Sequence, residues 1–183
     1  LSTPIEGEIP EQYKGRVNVH LSKLQGQMLG LTIAGGSDKN CPARISKLRP
    51  GGLASKSDLL QINDIIACIN EVRTARLTHN EIVKFFKDIG DDINLEIEYE
   101  LPPAVLGMET EYIKQRTTCV SLCRDGISFG FTIRGGQNNY FPEKTRPFVV
   151  TYIRNNSPAD RSGILKPGDR ITHIDNVSLK GLS

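Results

Sequence analysis

Three histidines and four cysteines are the side chains of this 183-residue chain best suited to act as bases, nucleophiles or metal ligands. His20 lies in an alternating run, His173 in a late strand-like run, and His79 at the start of a helical segment. A Ser/His/Asp constellation assembles in space and leaves no signature along the chain. Local catalytic signatures are absent: there is no G-x-S-x-G elbow, no Walker loop, no H-E-x-x-H and no G-x-G-x-x-G. Catalysis within this chain is not expected, and neither is a metal or an organic cofactor. Cys41, Cys68, Cys119 and Cys123 form no C-x-x-C pair; they read as reduced core or surface thiols of a cytosolic protein. Cys119 and Cys123 fall in an apolar, strand-like run. His79 offers another kind of chemistry. The segment Thr78-His79-Asn80-Glu81 is a capping box, which puts a neutral imidazole able to donate or accept in the first turn of a helix.

The bulk numbers narrow the setting. There are 23 basic and 21 acidic residues, a formal charge of +2, with 38% hydrophobic and 24% charged residues. That is a globular composition, too apolar and too balanced for a disordered chain. Near-neutral charge argues against nucleic acid as a partner. Residues 17–100 hold ten basic and eleven acidic residues, and residues 119–183 hold nine and five. No apolar run approaches the ~18 residues of a membrane span, and the first residues do not read as a signal peptide. The sequon Asn176-Val177-Ser178 would matter only in the secretory pathway.

An internal repeat must position these groups. Met28-Leu29-Gly30-Leu31-Thr32-Ile33-Ala34-Gly35-Gly36 returns 100 residues later as Ser128-Phe129-Gly130-Phe131-Thr132-Ile133-Arg134-Gly135-Gly136. Leu60-Gln61-Ile62-Asn63-Asp64-Ile65-Ile66 matches Leu165-Lys166-Pro167-Gly168-Asp169-Arg170-Ile171 at an offset of 105. The extra five residues fall in the polar stretch after the Gly-Gly pair, where a surface insertion costs little. In the first copy, alternation and turn residues predict strands at 17–22, 29–34, 44–48, 65–70 and 93–100. A short helix is predicted at about 53–57. A longer helix follows Thr78, with Ile82, Val83, Phe86 and Ile89 as its apolar stripe and Gly90 as its stop. The organisation reads as an N-terminal extension (1–15), a complete first domain (16–100), a linker (101–117) opened by Leu101-Pro102-Pro103, and a second domain (118–183). At the offset of 105, Leu182-Ser183 aligns with Leu77-Thr78, so the counterpart of residues 79–100 is missing. This points to a fragment of a longer protein, whose second domain lacks its long helix and last strand.

These residues, in this order, resemble two PDZ domains in tandem, and the pair resembles the N-terminal part of the glutamate receptor-interacting protein scaffolds. The carriers are the apolar-Gly-apolar loop after the first strand, the Gly-Gly pair, the Pro-Gly-Gly or Ser-Pro-Ala turn, and the Leu-x-x-(Gly/Asn)-Asp segment. Asn70-Glu71-Val72 and Asp175-Asn176-Val177 stand in place of the family's Asn-Gly turn, and Tyr99-Glu100-Leu101-Pro102-Pro103 supports the likeness to the scaffolds at the junction. The resemblance implies a mainly β fold, a partly open antiparallel barrel or sandwich with two helices per unit. It also implies capture of a partner's C-terminal tail as an added strand. The amides of Leu29, Gly30 and Leu31, and of Phe129, Gly130 and Phe131, would take the carboxylate. Thr32 and Ile33 would continue the strand that receives the tail, and Val83 and Phe86 would wall a pocket for its last side chain. His79 would bond a Ser or Thr hydroxyl two residues before the end, so that the first copy prefers (Ser/Thr)-x-apolar tails. Lys23, just before the loop, would attract the carboxylate.

Departures from the family pattern are specific. Met28 and Ser128 replace the loop's first glycine, and Asn63 stands where the second copy has Gly168. Asn tolerates left-handed geometry, so that turn is expected to survive, whereas Met28 is expected to narrow the first pocket. The implied protein is a cytoplasmic adaptor, peripheral at membranes, cell junctions or synapses through its partners. Those partners are C-terminal peptides of transmembrane proteins, with glutamate receptor subunits and adhesion or matrix-linked proteins as candidates. The two copies either hold two tails together or pack against each other. Two alternatives stand beside it: the non-catalytic part of a larger enzyme, or a lipid-surface module using Arg134, Lys144, Arg146, Arg154, Arg161, Lys166 and Arg170.

Overall fold

The computed structural model describes residues 7–24, 26–102, 116–126 and 128–183. They divide into two compact units, one ending at Glu100 and the other beginning at Leu101. Much of the expected linker, residues 103–115, lies outside the described residues.

The first unit is built on an antiparallel sheet. Its strands are β1 (Lys14–Ser22), β2 (Leu31–Gly36), β3 (Cys41–Leu48), β4 (Ile65–Ile69), β5 (Val72–Arg73) and β6 (Asp92–Glu100), in the order β1-β6-β4-β3-β2 with β5 on β4. Strand β1 pairs β6 along its whole length, from Lys14 opposite Glu100 to Ser22 opposite Asp92. Alternation decides its faces: Val19 and Leu21 point into the core, while Arg16, Asn18 and His20 face solvent. Lys14 and Arg16 both reach Glu98 on β6, at 3.4 and 2.9 Å, which favours this register.

Helix α1 (Leu53–Lys56) and helix α2 (His79–Asp88) complete the unit. Ile82 of α2 is fully buried with Ile45, Ile66, Ile93 and Ile97 from the sheet. Two-residue connections carry β4 into β5: Asn70 and Glu71 both take positive φ, 42° and 70°, as a type I′ hairpin needs. Asn63 also adopts positive φ (75°), like its counterpart Gly168 (96°), so the expected turn is kept.

The second unit repeats part of this plan. Strand β7 (Phe131–Gly136) pairs β8 (Arg146–Ile153), with irregularities after Thr132 and Arg134 that match those after Thr32 and Ala34 in β2–β3. Helix α3 (Pro158–Ser162) follows, then the short hairpin of β9 (His173–Ile174) and β10 (Val177–Ser178). The amide of Val150 donates to Asp169, as Ile45 donates to Asp64, and Gly168 donates back to Val150, as Asn63 does to Ile45. Gln137 donates to Leu182 at 2.7 Å, the equivalent of Ser37 to Leu77 at 2.8 Å. The offset of 105 thus holds in space as far as Leu182.

Two expectations need correction. The run holding Cys119 and Cys123 is not a strand, and both thiols are exposed. In the first unit the corresponding strand, β1, exists by pairing β6, and among the described residues of the second unit nothing corresponds to β6. The second predicted strand begins at Leu31 rather than 29, because the Leu29 carbonyl is taken by Ala54 of α1 and Gly30 turns the chain at positive φ.

Candidate functional site

Strand β2 is an edge of its sheet, and α2 lies beside it. An edge strand presents N–H and C=O groups that no neighbouring strand uses. The loop that enters β2 is held from behind. The Met28 carbonyl accepts from Leu53 N–H (3.1 Å), Leu29 from Ala54 (2.9 Å) and Gly30 from Arg49 (2.7 Å). No cis peptide is present among the described residues, and a trans peptide points its N–H opposite its C=O. The amides of Leu29, Gly30 and Leu31 therefore turn away from α1 and β3, toward the open edge. Successive amides aimed into one concavity form an anion-binding nest.

Gly30 makes the loop possible. Its φ is +75°, and a Cβ there would lie 2.8 Å from the Gly52 Cα, so two backbones meet where neither has a side chain. Leu29 and Leu31 are half-buried on the core, and Ile33 is buried. Thr32 is exposed on β2. Met28 is 59% exposed, with its sulfur 3.8 Å from an Arg49 nitrogen.

The second unit repeats this support with one link changed. Ala159 donates to the Phe129 carbonyl (3.0 Å) and Arg154 to Gly130 (2.8 Å), which turns the amides of Gly130 and Phe131 outward. The equivalent of Leu53 is Pro158, which has no N–H. The Ser128 carbonyl is bonded instead by Asp125 (3.2 Å).

Helix α2 begins as the capping box requires. Thr78 Oγ1 accepts from Glu81 N–H, and Glu81 Oε2 accepts from Thr78 N–H at 2.7 Å. The Thr78 amide, and after it the Thr78 hydroxyl, donate to the Glu81 carboxylate and hold its pKa below the ordinary value. Thr78→Ala is expected to lower the stability of this unit by about 1 kcal/mol, read as a shift in the urea midpoint at unchanged slope. His79 and Val83 are four residues apart and Phe86 seven from His79, so the three share one face of the helix. Phe86 packs on the core and Val83 is half-buried. The ring of His79 is fixed: its Nδ1 lies 2.9 Å from the Gly35 carbonyl. A carbonyl only accepts, so Nδ1 carries the proton and Nε2 of the neutral ring is left as an acceptor.

Lys23 follows β1, is half-buried, and donates its amide to the Asp91 carbonyl at 2.8 Å. Sequence reasoning missed two residues near these groups. Arg49 has its guanidinium at the loop's first residue, as does Arg154, whose Nη2 donates to Ser128 Oγ at 3.0 Å. The recurrence of Arg at the offset of 105 was the available signal. Asp38, the other, accepts from the His79 amide at 2.6 Å.

The family described as "PDZ domain" matches residues 18–98 and 120–183, most of the chain. The chain belongs to the PDZ domain family. It is 45% identical over 175 residues to "Glutamate receptor-interacting protein 2" of Xenopus laevis, which covers 96% of this chain and 16% of that protein. To "Glutamate receptor-interacting protein 1" of Homo sapiens it is 43% identical over 173 residues, 94% of this chain and 15% of the other. To "Disks large homolog 2" of Rattus norvegicus it is 29% identical over 157 residues, 83% and 17%. The chain thus spans about one sixth of the length of these relatives. A solved PDZ domain, Dlg1 PDZ2 of the choanoflagellate Monosiga brevicollis, aligns over 47% of this chain and all of its own, with a TM-score of 0.45 and 25% identity. Membership makes each of the two matched regions a PDZ domain, a protein-interaction module. No helix among the described residues is long and apolar enough to cross a membrane.

Proposed function

We propose that the first PDZ domain captures the C-terminal tail of a partner protein, laying it as an added strand on β2 in the groove beside α2. The observation that carries this reading is the outward turn of the Leu29, Gly30 and Leu31 amides at the open edge of β2. They receive the terminal carboxylate, with Lys23 supplying a nearby positive charge. Thr32 and Ile33 continue the receiving strand. Leu29, Leu31, Val83 and Phe86 surround the tail's last apolar side chain, and His79 Nε2 accepts from a Ser or Thr hydroxyl two residues earlier. Phe129, Gly130 and Phe131 form the corresponding loop of the second domain.

The magnitudes suit a reversible recruiter. Hydrogen bonds to a charged group contribute about 1.5–3 kcal/mol each, and one buried aliphatic side chain about as much. Association costs of about 4–15 kcal/mol leave roughly micromolar binding. The relatives' names, glutamate receptor-interacting protein, make receptor tails the first candidates, and tails of adhesion or matrix-linked membrane proteins the second. Such an adaptor works in the cytoplasm at membranes, junctions or synapses, where two domains on one chain raise the local concentration of two tails.

Lipid-surface binding finds less support. Arg134 and Lys144 are buried. Arg146 donates to the carbonyls of Pro102, Glu143 and Thr145, and Arg161 lies 3.4 Å from Asp125. Of the seven cations considered, few are left to form one basic face. Titrating the chain with a Ser-x-Val tail, free and amidated, tests the carboxylate reading. Amidation is expected to weaken binding at least tenfold; equal affinity for the two ends would overturn it.

A further inference from the structure

The N-terminus of α2 is locked to the end of β2 by bonds that come from outside the helix. A capping box satisfies the amides of Thr78 and Glu81 and leaves the first helical amide, that of His79, without a partner in the helix. Asp38 supplies one, with Oδ1 at 2.6 Å from the His79 nitrogen. The carboxylate also sits at the positive end of the helix dipole, and its pKa is lowered, chiefly by the His79 amide. Next to it, Ser37 N–H donates to the Leu77 carbonyl at 2.8 Å, and His79 Nδ1 bonds the Gly35 carbonyl at 2.9 Å. Gly36 makes the approach possible: a Cβ there would lie 2.5 Å from the His79 nitrogen and 2.8 Å from Asp38 Oδ1.

We propose that Asp38 is a positioning residue for tail selectivity, holding His79 against β2 so that Nε2 faces the groove as an acceptor. The proposal rests on the tail-binding reading above. Asp38 makes no contact with the tail in this account; it acts through His79. Without it the His79 amide turns to water and the helix start is released from β2. The Nδ1 bond to Gly35 then weakens, and the ring is free to carry its proton on either nitrogen. An Nε2–H can only donate to the tail hydroxyl, and a ring no longer held against β2 does not stand where either bond can form. Selectivity for Ser or Thr over Ala at that tail position then disappears, while the carboxylate loop, tied by Arg49, Leu53 and Ala54, is untouched.

The experiment uses the full chain with wild-type, Asp38→Ala and Asp38→Asn sequences. Two tails, Ser-x-Val and Ala-x-Val, are titrated calorimetrically, and the His79 ring is observed by long-range proton–nitrogen NMR. Wild type is expected to prefer the Ser tail about fivefold and to show the Nδ1–H ring. Asp38→Ala is expected to bring the ratio below about twofold, to keep its affinity for the Ala tail, and to lose the Nδ1–H signature. Asp38→Asn retains an acceptor oxygen and is expected to restore both ratio and signature. Selectivity and ring signature unchanged in Asp38→Ala overturn the proposal while leaving tail binding standing. A wild-type chain that binds free and amidated tails alike overturns the tail reading itself, and one that binds only free tails but ignores Ser against Ala removes the selectivity claim.

Discussion

Gly35→Ala is expected to destabilise the first PDZ domain by about 3 kcal/mol and to abolish tail binding with it. Gly35 has a φ of +86°, and an added Cβ would meet the Pro42 carbonyl oxygen at 2.1 Å and its carbon at 2.8 Å. Both are backbone atoms of the paired strand, so no rotamer change relieves the overlap. The left-handed conformation alone costs a non-glycine residue about 1–2 kcal/mol, and overpacking adds about 1–3. Alanine also restricts the unfolded chain, which returns about 0.4–1 kcal/mol. The site sits at the irregularity between Ala34 and Gly36, and the Gly35 carbonyl is the partner of His79. Relief by moving β2 off β3 would therefore disturb the groove from both sides. Gly51→Ala is the control: its φ is +81°, yet nothing lies within 4 Å of an added Cβ. It carries the conformational cost without the collision, so its loss is expected to be about 1 kcal/mol. Urea unfolding of both variants checks the difference, and equal midpoints would show that the collision is absorbed.

Amides of the second PDZ domain are expected to exchange with deuterium at least a hundredfold faster than core amides of the first, by about 2.7 kcal/mol of opening free energy. The first domain buries a cluster of fifteen hydrophobic residues. Among the described residues of the second, only Val150 and Ala159 are buried hydrophobics. Ile164, Ile174 and Val177 are about half exposed or more. Strands β9 and β10 are two residues each, and an isolated hairpin of that size is marginal in water. Slow exchange should concentrate in β4, β6 and at Ile82, with the Val150 and Gly168 amides the best protected of the second domain. Exchange measured by mass spectrometry on the intact chain decides this, and comparable protection in both domains would contradict it.

Local chemistry was the legible part of this molecule. Thr78 and Glu81 announce a helix start because both halves of the capping box lie within four residues. Asn70-Glu71 reads as a turn because positive φ is a property of single residues and their neighbours. The repeat carried further still: the irregularities of β2 recur in β7, and Arg44 opposite Ile65 recurs as Val149 opposite Arg170. What stayed hidden depends on partners far along the chain. Leu29 reads as a strand residue by its neighbours, yet its carbonyl is claimed by Ala54. Residues 119–123 have strand composition, but a strand needs a ladder, and its partner in the first domain is β6. Asp38 is one more polar loop residue until α2 arrives 41 positions later.

The sequence by itself determined the repeat, the element types of the first domain, the glycine positions and the family, because each is written in near neighbours or in the comparison of one copy with the other. Tertiary structure alone decided which way the loop amides face and which nitrogen of His79 carries a proton. It also decided that the second domain, with the same loop motif, has one support exchanged and few buried hydrophobic residues among those described. The physical reason is the same in each case. A hydrogen-bonding group is directed by whatever satisfies it, and here the satisfying group comes from a distant segment.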